Sequence, residues 1–242
     1  MKQSKLALSV LVSTLALSSS VYAQSLMKDE VMPVATAHNW TGFYTGLNVG
    51  AVNHTMNITD NQAASFFTTI EQVSNPKFTG GVQLGYRRQM DLAQVSGVYG
   101  AELSANFSNA QFNKQYGSPF ALYQLNSENE LQTVCLLELM GGIAADRTLL
   151  FVSAGLSWAN ISGSTTNQDS IAFFNGFNTD KNLFGTVLGA GIEYAFTDKI
   201  SARFKVDVIT PNTYTTYDNV DNSYGISNKI VQGTLGLNYK FA

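Results

Sequence analysis

The chain has 242 residues, of which 45% are hydrophobic and only 13% charged, with a formal net charge of −3. An ordinary soluble domain is about 25% charged, so this chain has little material for a water-facing surface, while its 15 Phe and 11 Tyr argue against disorder. The weak negative charge, with no basic stripe, gives no electrostatic footprint for nucleic acid, which is not expected as a partner.

Residues 1–23 read as a signal peptide. Lys2 and Lys5 precede an apolar run from Leu6 to Leu17, and Val21 and Ala23 take the −3 and −1 positions of a cleavage site. The run is shorter than the roughly 20 residues a spanning helix needs, and Gln24 stands where a lipoprotein would carry Cys. Residues 24–39 form a mixed, unpatterned linker, and 40–242 the folded domain. No later segment is long and apolar enough for a membrane helix. Export implies an oxidising compartment, yet Cys135 is the only cysteine, so no intramolecular disulfide can contribute.

From Trp40 onward apolar residues recur with a period of two, which predicts strands. Eight are expected: Thr41 to Asn53, Lys77 to Arg88, Gly97 to Phe107, Leu131 to Ala144, Leu149 to Ile161, Asn182 to Phe196, Ile200 to Ile209 and Lys229 to Phe241. Their connections alternate in length. His54 to Pro76, Ser108 to Glu130, Ser162 to Lys181 and Pro211 to Asn228 are long and polar. Gln89 to Ser96, Ala145 to Thr148 and Thr197 to Lys199 are short. Pro76, Pro119 and Pro211 all fall in long connections, where no ladder hydrogen bond is lost. Long loops at one end and short turns at the other characterise an outer-membrane barrel. The expected fold is therefore all-β: one closed, antiparallel, up-and-down transmembrane barrel of eight strands, with long external loops and short periplasmic turns. Ten strands would follow if Ser65 to Val73 or Ile171 to Phe177 added pairs, but both read better as aromatic loop segments.

Alternation alone does not say which face is wet, because a soluble barrel points its apolar face inward and a membrane barrel points it at lipid. The contents of the faces decide. One face carries Phe43, Leu47, Val82, Leu84, Leu103, Leu137, Leu139, Val152, Leu156, Leu188, Ile192 and Phe204, without a central charge and with aromatics toward the strand ends. The other carries Asn48, Gln83, Ser104, Ser153, Ser157, Thr234, Asn238 and many glycines. A solvent-facing strand surface would be rich in Lys and Glu, whereas a narrow lumen suits small residues. The second face also holds Glu102, Glu138, Glu193 and Asp207 with Arg87, Arg203, Lys205 and Lys240, nearly matched in sign. Ionisable groups in membrane segments face inward and pair, so these eight are expected to form a structural charge network in a packed lumen, with Lys240 near Glu193 or Glu102.

Two stretches, "WTGFYTGLNVG" (Trp40 to Gly50) and "GTLGLNYKF" (Gly233 to Phe241), resemble the porin-family, opacity-like outer-membrane β-barrel proteins of Gram-negative bacteria. In that family a Trp–Thr/Ser–Gly–Phe–Tyr–x–Gly motif opens the first strand. "GIEYAFTDKISARFKVDV" (Gly191 to Val208) is similar to its last tight-turn hairpin, with Arg203 and Lys205 pointing inward. The resemblance implies that the last strand, through Leu237, Tyr239 and Phe241, is the signal read by the barrel-assembly machinery, although Ala242 follows the usual terminal aromatic. It implies architecture and location, the cell outer membrane, more than activity.

Chemistry-bearing patterns are sparse. His38 lies in the linker and His54 opens the first long connection, where Asp60 and a loop Ser could complete a hydrolase set, but no spacing singles out a nucleophile–base pair. Two His and one lipid-facing Cys do not make a zinc site, the Asp218 to Gly225 stretch lacks calcium-loop spacing, and no cofactor is expected. The function expected is non-enzymatic: envelope structure or surface interaction through four long loops. Its partners are outer-membrane lipid, the assembly machinery and an extracellular protein or glycan. The alternatives are a narrow porin-like channel and a lipid-modifying enzyme.

Overall fold

The computed structural model describes residues 38–60, 70–73, 76–92, 95–117, 124–167, 177–178, 181–217 and 223–241. The segments read as signal peptide and linker lie outside these residues, apart from His38 and Asn39. The strands are β1 (Gly42–Asp60), β2 (Ile70–Val73), β3 (Lys77–Leu92), β4 (Val95–Gly117), β5 (Gln124–Ala145), β6 (Thr148–Asn167), β7 (Phe177–Asn178), β8 (Lys181–Ala195), β9 (Ile200–Pro211), β10 (Tyr214–Tyr217) and β11 (Ser223–Lys240). Eight of them, β1, β3, β4, β5, β6, β8, β9 and β11, form a closed antiparallel up-and-down barrel. Closure is made by β1 and β11, paired from Tyr44↔Lys240 to Asp60↔Tyr224.

The ladder registers fix the barrel's dimensions. A row of partners starting at Met90 on β3 passes through Gly97, Ile143, Leu150, Ile192, Phe204, Leu235 and Val49 and returns to β3 at Gly80. The stagger from residue 90 to residue 80, ten positions, corresponds for eight strands to a tilt of about 40° and a backbone radius of about 8 Å. A barrel this narrow is filled by its own side chains.

The outer surface is apolar, as a lipid-facing belt must be. Leu139, Leu47 and Phe184 are 71%, 68% and 68% exposed. Following the tilt, Phe43, Tyr86, Tyr99, Tyr194 and Tyr239 share one level and Phe78, Phe107, Trp158 and Phe184 another, all of them exposed. The two aromatic girdles stand about 20–25 Å apart, the thickness of the hydrocarbon they flank. Phe43 and Tyr86 reinforce the lower ring with centroids 4.8 Å apart.

The external connections differ from the expectation. Within the expected Ser108 to Glu130 loop, residues 108–117 and 124–130 are strand. β4 and β5 stay paired as far as Gly117↔Gln124, with a register irregularity between Phe107 and Ala110. β6 continues beside β5 to Asn167, with a second irregularity on β5 between Leu131 and Thr133. These bulges bend the strands where they leave the membrane. Among the described residues, β2, β7 and β10 pair only with β1, β6 and β11. Ile70–Val73 and Phe177 thus belong to short ladders above the rim, and the barrel keeps eight strands. At the opposite end Ala145 pairs with Thr148 around Asp146 and Arg147. Asp146 has φ 51°, the left-handed conformation that a two-residue hairpin favours.

The interior has apolar layers that the alternation did not announce. Toward the external end Val52, Leu136, Val187, Ile209 and Ile230 are buried against one another with Leu131, Val134, Ala159, Ile161 and Leu183. Toward the periplasmic end Trp40, Val98, Met140, Leu149 and Phe151 form a second cluster. The charged residues lie between and partly among them.

Candidate functional site: the charged lumen and the periplasmic mouth

The strand parity that sends Leu, Val and Phe to lipid sends the charges inward. Arg203 on β9 donates both guanidinium terminal nitrogens to Glu102 on β4, the second at 3.1 Å. Tyr44 Oη on β1 donates to the same carboxylate at 2.5 Å. Lys205 bonds Glu138 on β5 and lies 3.0 Å from Asp207 and 4.0 Å from Glu102. Ser153 Oγ donates to Glu138 at 2.7 Å, and Gln232 Nε2 to Asp207 at 3.0 Å. Nearer the periplasm Arg87 pairs with Glu193 at 2.7 Å. Asn238 Nδ2 at 2.9 Å and Ser201 Oγ also donate to Glu193. The Arg87 guanidinium lies 4.0 Å from the Tyr44 ring centroid, joining the two groups. A further chain of amides runs from Asn48 to Gln83 at 2.6 Å and on to Asn238 at 2.8 Å.

Of the eight charged positions singled out in the sequence, Arg87, Glu102, Glu138, Glu193, Arg203, Lys205 and Asp207 are buried and form one connected set. Lys240 stands apart. It is half-buried at the periplasmic rim, and its Nζ donates to the Asn39 carbonyl rather than to Glu193 or Glu102. Leu237, Tyr239 and Phe241 are exposed on the outer face of β11 and its end, with the Tyr239 and Phe241 rings edge to face at 5.5 Å. His54 is not in a loop. It lies within β1, buried, with Nε2 2.9 Å from Asn228 Oδ1. Among the described residues, no group of three or more His, Cys, Asp or Glu is placed to hold a metal ion.

Every carboxylate in the network accepts at least one charge-assisted bond, the arrangement that makes ion burial tolerable. Glu138→Ala would leave Lys205 with Asp207 as its close partner. The expected loss is about 3 kcal/mol, toward the lower end for a broken buried pair. A thermal melt in detergent checks it, and an unchanged midpoint would contradict the network's structural role.

The sequence reading missed the periplasmic mouth. Residues 38–40 cross it as a strap. His38 N donates to the Asp146 carbonyl in the β5–β6 turn at 3.0 Å, and Trp40 N to Gln89 Oε1 on β3 at 2.8 Å. The Lys240 bond to Asn39 holds the middle. The Trp40 ring packs against His38 at 4.6 Å between centroids, with the Arg87 guanidinium 5.8 Å from its own. Parity offered a signal: Trp40 shares the even-numbered, inward register of Tyr44 and Asn48. Burial, then Lys240, hold the His38 imidazole down at about 4, with Arg147 acting in the same sense and Asp198 and Glu193 opposing. A detached strap would take up its proton near 6.5, so the strap is at full strength above that pH. It weakens as the pH falls toward 4. Trp40 emission should therefore shift to the red over this interval. An emission spectrum constant from pH 7 to 4 would contradict the burial of His38.

The chain is similar to known proteins. Residues 9–241 match the family model described as outer membrane protein beta-barrel domain. The 31 kDa outer-membrane immunogenic protein of Brucella melitensis is 25% identical over 241 residues, covering 97% of both chains. Among solved structures, OprG from Pseudomonas aeruginosa is similar with a TM-score of 0.47 and 15% identity, covering 85% of this chain and 98% of that one. The protease OmpT from Escherichia coli aligns with a TM-score of 0.48 and 9% identity, covering 83% and 97%. With a family match over nearly its whole length and a lipid-facing closed barrel, the chain belongs to the outer membrane protein β-barrel domain family and resides in the cell outer membrane.

Proposed function

We propose that the protein is a non-enzymatic surface barrel, a rigid membrane anchor that presents its external hairpins to an extracellular protein or glycan. The observation carrying this reading is the filled lumen. Apolar side chains from Leu136, Val187, Ile209 and Ile230 close its external half, and the paired charges and the Trp40 strap occupy the rest. A conducting pore would need a continuous wetted path, which these layers oppose. The β4–β5–β6 ladder projects beyond the membrane, continuous with the barrel wall. The similar Brucella protein is described as immunogenic, a property in keeping with surface display. Outer-membrane lipid contacts the girdled belt, and the assembly machinery would read the Leu237, Tyr239 and Phe241 face during insertion.

The test pairs two measurements. Purified protein in planar bilayers should stay electrically silent, and stepwise conductance would replace this reading with the channel. Cells carrying the protein with residues 112–129 excised should lose binding to extracellular matrix proteins or to a glycan array, while the barrel still shows heat-modifiable gel mobility. Full binding by the trimmed protein would remove the hairpin from the proposal.

A further inference from the structure

We infer that the external edge of β4, residues 110–117, is a docking strand for an extended segment of an extracellular protein, held by backbone hydrogen bonds. Within the membrane every barrel strand has a neighbour on both sides. Above the outer girdle the wall divides. β3 and β4 part at Thr79↔Ser108, while β4 stays paired with β5 as far as Gly117↔Gln124. Next to β3 in the chain, β2 pairs with β1 from Thr55↔Val73 to Ile58↔Ile70. The same division recurs across the barrel: β8 and β9 part at Gly185↔Pro211, β7 pairs with β6, and β10 with β11. Two external sheets result, β2–β1–β11–β10 and β4–β5–β6–β7. Among the described residues, β4 beyond Ser108 is their longest open edge.

In an antiparallel ladder alternate residues turn their N–H and C=O to one neighbour and the rest to the other. Pairing with β5 uses half of these groups. Ala110 to Gly117 therefore presents roughly four N–H and four C=O groups on its open side, along about 24 Å. Natural proteins guard such an edge with Pro, with charges or by keeping it short. The stretch "AQFNKQYG" has no Pro and one charge, Lys114. An extended peptide answers this row with a ladder of its own. A glycan has no matching alternation of donors and acceptors, so the edge selects a protein, which makes strand docking one form of the display function and dependent on it. The chain's own N-terminal segment is on the wrong side, because the chain enters the fold at the periplasmic mouth, where His38 bonds Asp146. A second copy in the same membrane is turned about the membrane normal. Its β4, leaving the barrel at the same tilt of about 40°, leans the opposite way across the contact, and the two strands cross instead of pairing.

The mature protein in detergent micelles is screened against a synthetic array of random-sequence peptides of about 12 residues, long enough to cover the edge. Each binder is remade in two forms, N-methylated at its odd or at its even positions. One form should bind at least about tenfold more weakly and the other about as well as the parent, because each form loses the donors of one edge of the peptide strand. Hydrogen exchange on the complex locates the contact. Every second amide from Ala110 to Gly117 should slow, and the alternate amides, already bonded to β5, should keep their rates. Equal binding by both N-methylated forms, equal loss in both, protection confined to other residues, or an array without binders overturns the inference. So does clumping of cells that display this chain alone, which would name a second copy on a facing cell as the occupant. Intact matrix proteins that bind through the hairpin, with no peptide showing the alternating pattern, would leave the display function standing and remove strand docking alone.

Discussion

Arg203→Met should cost about 3–5 kcal/mol of stability, the range for breaking a buried ion pair from one side. Methionine keeps much of the arginine's length and its packing near Phe151, whose ring centroid lies 6.0 Å from the guanidinium. The lost element is the charge. Glu102 would then remain buried, 4% exposed, with only the Tyr44 hydroxyl and the more distant Lys205 ammonium for partners. Adding Glu102→Met to Arg203→Met should restore most of the loss, because a well-packed apolar pair can replace a buried ion pair without penalty. Tyr44 would keep the Met140 sulfur, 3.8 Å from its hydroxyl, as a weak acceptor. Urea titration of the detergent-solubilised protein, followed by heat-modifiable mobility, distinguishes the cases. An Arg203→Met midpoint equal to wild type, or a double variant weaker than the single, would show that the pair does not act as a unit.

What the sequence disclosed and what it hid divide along one physical line. Wherever the two faces of a strand meet different media, residue alternation is forced, and the outward set from Phe43 to Tyr239 was legible. Lipid and a crowded polar lumen could not share a side-chain type. Toward the external end both faces are apolar, as in "TVCLLEL" and "VDVIT", and Leu136 and Ile209 lose their contrast with Leu137 and Val208. The run then reads as one apolar segment, and its inward half goes unnoticed. Above the upper girdle neither face meets lipid. The strands there are written in Asn, Ser, Gln and Thr, a composition that also makes loops, so the continuation of β4 and β5 to Gly117 and Gln124 left no signal in the pattern. Lys240 failed for a different reason. Parity placed it correctly on the inward side, but parity says nothing about height, and at the rim a backbone carbonyl of Asn39 was nearer than any carboxylate. The same limit applies to the charged set: strand register gave the face of Arg203 and Glu102, while their pairing across the lumen required the stagger of the whole barrel.

That stagger also makes one glycine indispensable. Gly50 faces inward on β1, and a Cβ there would overlap the Gly233 carbonyl oxygen and lie 2.9 Å from Thr234 Cα, both of them backbone atoms of β11. Backbone in a ladder cannot step aside without breaking hydrogen bonds, so Gly50→Val must separate β1 from β11. This is the seam that closes the barrel, and opening it would expose two sheet edges to lipid with no water to satisfy them. The expected result is loss of the folded, heat-modifiable species from the outer-membrane fraction, well beyond the roughly 1 kcal/mol that a glycine substitution costs or gains by entropy alone. Gly233 supplies the control from the other strand of the same seam. It faces outward, with nothing within 4 Å of a built Cβ. Gly233→Val adds a β-branched apolar side chain to the lipid belt and should fold at least as well as wild type. If both valines were tolerated, the close approach at Gly50 would not limit closure. If both failed, the seam would be intolerant of bulk on either face, and the inward geometry of Gly50 would no longer be the cause.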